Sequence, residues 1–124
     1  MPAIHAIELH DSTLAAMRRE GDALVLALRP AYVHRDGAGW SHDADIHLFE
    51  VVDAAVPDAL PSRIWGGTLE TPYGVAEGLL RLPLDASGPV RLVCELVTGA
   101  RIEVSATAIR IALLGEPRFV ERVD

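Results

Sequence analysis

Five side chains of metal-ligating type, His34, His42, Asp43, Asp45 and His47, fall within 14 residues of one another. Imidazole and carboxylate together suit zinc and other divalent ions. If the stretch is extended, Asp43, Asp45 and His47 share one face, while His42 and His47, five apart, point to opposite faces. Three candidate ligands follow, although acidic side chains on an exposed strand face produce the same pattern. His10-Asp11-Ser12 contains the three residue types of a hydrolase triad. A working triad draws them from separate parts of a fold, and no Gly-x-Ser-x-Gly elbow is present. Asp11 and Ser12 are expected to bond local backbone at a bend instead. No catalytic residue is assigned.

Tyr32, Trp40, Trp65 and Tyr73 lie in or beside the two longest expected loops. An aromatic next to glycines, as in Ile64-Trp65-Gly66-Gly67-Thr68, can line a small-ligand cleft; the same residues can cap a barrel end. Glu8, Glu50, Glu70, Glu77, Glu95 and Glu103 sit in expected strands or at their ends. Pairing of Glu95 and Glu103 with Arg91 and Arg101 is their ordinary explanation. Gly37-x-Gly39 and Gly66-Gly67 lack the context of a phosphate-binding loop, so no cofactor is expected.

The elements that must position these residues are strands. The 124 residues fit one domain, and at 50% hydrophobic with a mean hydropathy of +0.24 the chain has ample material for a core. Aromatics make up only 5%, so Leu, Val, Ile and Ala must build it. Period-two alternation dominates. Residues 22–29 set Leu24, Leu26 and Leu28 against Ala23, Val25 and Ala27, apolar on both faces. Residues 45–52 set Ile46, Leu48 and Val52 against Asp45, His47, Phe49 and Val51. Residues 90–97 set Val90, Leu92, Cys94 and Leu96 against Arg91, Val93, Glu95 and Val97, which makes the single cysteine a buried thiol. In 101–114 the apolar phase passes from Ile102, Val104, Ala106 and Ala108 to Ile109, Ile111 and Leu113. A one-residue phase change predicts a bulge or bend near Thr107–Ile109.

Glu20-Gly21-Asp22, Asp36–Gly39, Pro57–Pro61, Gly66-Gly67, Asp85–Pro89, Thr98-Gly99-Ala100 and Gly115-Glu116-Pro117 read as turns or loops. The Thr98–Ala100 connection is the clearest hairpin. Residues 34–44 read as the longest loop and 57–74 as a second irregular stretch. Ser12–Gly21 carries helix signals, but a hairpin through Glu20-Gly21-Asp22 is the favoured reading.

Ile7-Glu8-Leu9-His10-Asp11-Ser12-Thr13-Leu14, followed by Gly21-Asp22-Ala23-Leu24-Val25-Leu26, resembles the opening of a loose group of small bacterial β-rich proteins of unknown function, some of them immunity-protein-like. Gly99-x-x-Ile102-x-Val104-x-Ala106 and Leu114-Gly115-Glu116 are similar in rhythm. The resemblance covers about the first third and last quarter of the chain. It implies a compact β fold and brings no catalytic residue with it.

The expected fold is an antiparallel β-sandwich or partly open barrel of about seven to nine strands with at most one short helix. Strands apolar on both faces need a second layer or a second protomer, so a homodimer is expected. Eleven basic against 18 acidic residues give a net charge of −7, which disfavours a nucleic-acid partner and suits a basic protein partner. No apolar run is long enough to span a bilayer and no signal-peptide pattern opens the chain, so no membrane association and a cytoplasmic location are expected. The leading functional expectation is a non-enzymatic binding module, immunity-like in kind. The alternative is a small-ligand-binding protein or metal-dependent enzyme with its site at the 34–47 loop and Trp65.

Overall fold

The computed structural model describes residues 5–57 and 59–122. Met1–Ile4 of the amino-terminal reading and Asp58 of the Pro57–Pro61 loop lie outside them. In chain order the elements are β1 (Ala6–Glu8), a 3-10 turn (Leu9–Asp11), β2 (Thr13–Glu20), β3 (Ala23–Arg35), β4 (Ala38–Phe49), β5 (Asp53–Ala55), β6 (Ser62–Thr71), β7 (Gly74–Glu77), β8 (Leu79–Arg81), β9 (Asp85–Leu96) and β10 (Arg101–Arg122). All pairings are antiparallel. Six strands return on themselves in the order β2-β6-β9-β10-β4-β3, because β2 pairs with both β6 and β3. The β2–β6 join is short, Thr13 opposite Arg63 and Leu14 opposite Ser62. The result is a partly open barrel. The described strands number ten, above the seven to nine expected, because three-residue pieces such as β1, β5 and β8 are too short to show alternation.

Alternation places the core. Leu24, Leu26 and Leu28 of β3, Ala44, Ile46 and Leu48 of β4, Leu92 and Leu96 of β9, and Ile102, Val104 and Ile109 of β10 are buried together inside the barrel. Cys94 joins them, and burial pushes its thiol up to about 12. The outward residues Val25 and Ala27 are buried too. Their register neighbours are Arg18 and His47, and Ala16 and Asp45. On this face small side chains lie beneath long arginines.

The disputed Ser12–Gly21 segment is β2, joined to β3 by Gly21-Asp22 with Gly21 at φ 64°. A glycine at the first of two loop positions matches the twist of the flanking strands. Thr98–Ala100 lies in the β9–β10 hairpin as expected. Four expectations are corrected. The 34–44 loop is a tight hairpin: Asp36 (φ 52°) and Gly37 (φ 72°) alone separate the paired residues Arg35 and Ala38. Two adjacent left-handed residues make the turn type that lets long strands meet directly, and Asp-Gly favours it. The 57–74 stretch contains β6, and Gly66-Gly67 lies within it. The turns expected at 85–89 and 115–117 are irregularities inside β9 and β10. Val52, assigned to the apolar phase of 45–52, is 76% exposed, because β4 ends at Phe49 and Glu50 turns the chain at φ 48°.

The phase change in β10 is present. Ala106 opposes Val90 and Ala108 opposes Ser87, so the additional residue belongs to β9, in Ser87–Val90. Gly67 is placed for close packing: a Cβ there would sit 2.5 Å from the Val93 carbonyl oxygen and 2.9 Å from Leu9 Cδ1. Gly67→Ala is expected to cost about 2 kcal/mol by overpacking against backbone, while Gly66→Ala, which meets nothing within 4 Å, costs less. Paired thermal melts check this, and equal shifts would refute it.

Candidate functional site

Odd-numbered residues of β4 point out of the barrel. Asp43, Asp45 and His47 therefore share a face as anticipated, but two arginines occupy it with them. Arg29 donates from one terminal nitrogen to Asp45 Oδ1 at 2.9 Å and from the other to the Leu28 and Ala44 carbonyls at 3.0 and 2.9 Å. Its Nε lies 4.0 Å from Asp43 Oδ2. Arg18 donates to Asp45 Oδ2 at 3.2 Å and to Glu20. Burial alone would raise the Asp45 carboxyl, but the hydrogen bonds and charges of Arg29 and Arg18 outweigh it and hold the group below its ordinary value.

A bulge aims Arg29. Leu28 opposes Ala44 and Ala31 opposes His42, so β3 spends one more residue than β4 across Arg29-Pro30. Pro30 has no N–H to give the ladder, and the Arg29 guanidinium satisfies nearby carbonyls. A second bulge lies on the opposite flank of β4. Leu114 opposes Asp43 and Arg118 opposes Ser41, leaving Gly115-Glu116-Pro117 unpaired in β10, with Gly115 at φ 73°. The His42 Nε2 meets the Gly115 carbonyl at 3.0 Å and ties this bulge to β4. Between the two bulges a cleft of about 500 Å³ is lined by Arg29, Ser41, Asp43, Glu116 and Arg118, among others.

The remaining residues proposed for a metal site are elsewhere. His34 faces Glu8, Nε2 to Oε2 3.5 Å, and His47 stacks on Phe49 at 6.1 Å between ring centres. Among the described residues no three His, Cys, Asp or Glu side chains are grouped to hold a metal ion. The four aromatics do not form one pocket either. Tyr32 spans the outer face and donates to Glu121 at 2.7 Å. Its ring lies over Gly39, where a Cβ would come within 1.9 Å of the hydroxyl. Burial and the Glu121 contact push the phenol up to about 12. Trp40 packs edge-on to Phe119 under the Arg35 guanidinium. Trp65 is the additional residue of a β6 bulge, since Ile64 opposes Leu96 and Gly66 opposes Glu95; it meets His10 edge-on. Tyr73 stands at the β6–β7 turn, 82% exposed.

His10, Asp11 and Ser12 diverge; Ser12 bonds local backbone as expected, but Asp11 faces an arginine instead. Ser12 Oγ donates to the Glu8 carbonyl at 2.7 Å and accepts from the Tyr32 N–H at 3.0 Å, while His10 contacts the Trp65 carbonyl and Asp11 pairs with Arg63 at 3.7 Å. Burial and the Asp11 carboxyl raise Glu8. Arg91 pairs with Glu103 across the β9–β10 hairpin, as anticipated, and lowers that carboxyl. Sequence reasoning missed Arg18, Arg29, Glu116 and Arg118. A proline inside an apolar strand marks a bulge, and Arg29-Pro30 carried that signal.

A second opening is the seam where the barrel fails to close. β7 pairs only with β6, and β8 pairs only with β1, so each leaves one edge free among the described residues. A groove of about 390 Å³ lies between them, with buried Leu69 and Leu80 in its lining and exposed Tyr73, Val75 and Leu79 at its rim. No helix of the described chain is long and apolar enough to cross a membrane. No protein-family model matches the chain, and no curated protein or solved structure matches it.

Proposed function

We propose that the chain is a non-enzymatic binding module, immunity-like in kind and working in the cytoplasm, that takes an extended segment of a basic protein partner into the β7–β8 seam. The observation that supports this reading is the pair of free strand edges flanking an apolar groove. An added strand gains main-chain hydrogen bonds from a free edge, and alternate side chains find pockets beside it. Val75 at 64% exposure and Tyr73 at 82% are large apolar residues at such an edge, where charges or prolines are the usual protection. The net charge of −7 favours and steers a partner whose segment is flanked by basic residues.

The test uses Val75→Lys/Leu79→Lys, two exposed sites whose charges block strand addition. Wild type is expected to retain a basic protein from the native host's lysate and the double variant to lose it. Amide hydrogen exchange in β7 and β8 should slow when the captured partner is added back. Equal capture by both proteins, or protection confined to other strands, overturns the reading. A second copy is the competing occupant. A two-chain mass in light scattering at tens of micromolar that falls to one chain in the variant assigns the seam to self-pairing and overturns the reading in favour of the homodimer.

A further inference from the structure

The cleft between the two bulges shares no residue with the seam. We propose that it is a binding site for a small zwitterion of the α-amino-acid type, either a free amino acid or the two ends of a very short peptide. The ladder is interrupted on both sides of Ser41–Asp43: Asp43 has no register partner on β3, and His42 has none on β10. Two irregularities on opposite flanks of one strand, at the same level, open a recess in an otherwise continuous surface. Its volume of about 500 Å³ falls within the range of small-molecule sites.

The lining carries both signs of charge, and they differ in how firmly they are held. Arg29 is fixed by Asp45 and two carbonyls and serves as part of the wall. The Arg118 guanidinium has no ion-pair or hydrogen-bond partner among the described residues, and the residue sits opposite Ser41 in the ladder. A guanidinium and a hydroxyl side by side are donors for a carboxylate, and a planar fork favours two-point contact with it. Across the recess Asp43 keeps 47% of its side chain exposed, and Glu116 stands on the β10 bulge. These carboxylates are acceptors for an ammonium group. The lining holds two cations and two anions, to which Asp45 behind Arg29 adds one more anion. A simple anion would meet repulsion there, and a zwitterion satisfies both halves.

The folded wild-type protein is titrated by calorimetry with the twenty free amino acids and with dialanine as the short-peptide probe. At least one is expected to bind at millimolar concentration or tighter. Its methyl ester and its N-acetyl derivative, each lacking one charge, should bind about tenfold or more weakly. Arg118→Ala and Asp43→Asn, both at exposed side chains, should weaken binding similarly, with melting temperatures close to wild type. Amide shifts in NMR should centre on Ser41, Asp43 and Gly115. Dialanine binding while all free amino acids fail selects the peptide form of the ligand. No binding by any probe at 10 mM, binding indifferent to Arg118→Ala, or acetate binding as tightly as the amino acid would overturn the proposal. The seam variant Val75→Lys/Leu79→Lys should bind the zwitterion normally, which separates failure of this site from failure of the partner reading.

Discussion

Ile109→Ala is expected to lower the unfolding free energy by about 4 kcal/mol, and Arg110→Ala, one residue on, by about 0.5 to 1 kcal/mol. Ile109 is fully buried, with Leu48 of β4 and Ala86 of β9 as its register neighbours. The buried phase of β10 runs through the even positions Ile102, Val104 and Ala106 and resumes at the odd position Ile109. Without the change of phase Arg110 would point into the core and Ile109 outward. Arg110 instead lies over the Phe49 ring on the surface, 5.7 Å from its centre. Truncating Ile109 removes the transfer free energy of three carbons and leaves a cavity that rigid flanking strands close poorly. Urea unfolding measures both variants; the midpoint should fall with the slope unchanged. A larger loss for Arg110→Ala would refute the assigned phase.

That phase change was legible from the residues alone because burial on one face imposes a strict period of two, and a slip leaves a visible break. The same rule exposed the first part of β3, the last part of β4 and the inner face of β9. What the sequence did not disclose was the meaning of glycine and proline within strands. Gly21-Asp22 and Thr98–Ala100 end strands. Gly66-Gly67, Gly88-Pro89 and Gly115–Pro117 lie inside β6, β9 and β10, where the chain bulges and continues. Both uses need the same backbone freedom, so residue type does not separate a turn from a bulge; the difference is set by whether pairing resumes beyond it. The Asp36-Gly37 turn shows the converse. Its two-residue signal was present, but polar neighbours from His34 to Asp43 masked the long strands that it joins.

The site was legible to the same extent. The chain from His34 to His47 does border the cleft between the two bulges, and Asp43 lines it. The histidines were misleading because each is engaged by a different neighbour: His34 by Glu8, His42 by a carbonyl of β10 and His47 by Phe49. Those neighbours come from strands distant in sequence, which spacing along one segment does not reveal. The arginines were overlooked for a related reason. Arg29 and Arg118 lie 89 positions apart in the chain, and only the ring order β3-β4-β10 brings them to one strand's two flanks.

Arg29→Ala is expected to cost about 3 kcal/mol at neutral pH, the second largest effect of those considered. Deleting one partner of a buried pair costs about 3 to 5 kcal/mol. The lower end applies, because a third of the Arg29 side chain is exposed and Arg18 remains 3.2 Å from Asp45. The Leu28 and Ala44 carbonyls also lose their donor. The pH dependence separates these contributions. The folded carboxyl of Asp45 lies below its ordinary value of 3.8. Such a group stabilises the fold above the unfolded pKa and gives that stability up as pH falls through the folded one. The Arg29→Ala penalty should therefore be full at pH 7 and shrink below about pH 4 to about 1 to 2 kcal/mol, the share of the carbonyl bonds. Glu8 acts in the opposite sense: its raised carboxyl contributes below its ordinary value of 4.5 and loses that contribution as pH rises through the folded pKa. Glu8→Gln should remove this opposing slope without touching the Arg29 network. Denaturation curves for wild type, Arg29→Ala and Glu8→Gln at pH 7, 5 and 3 decide the matter. A penalty for Arg29→Ala that is equal at all three would mean that Asp45 gains nothing from the arginine and that Arg29 serves only the backbone of the bulge.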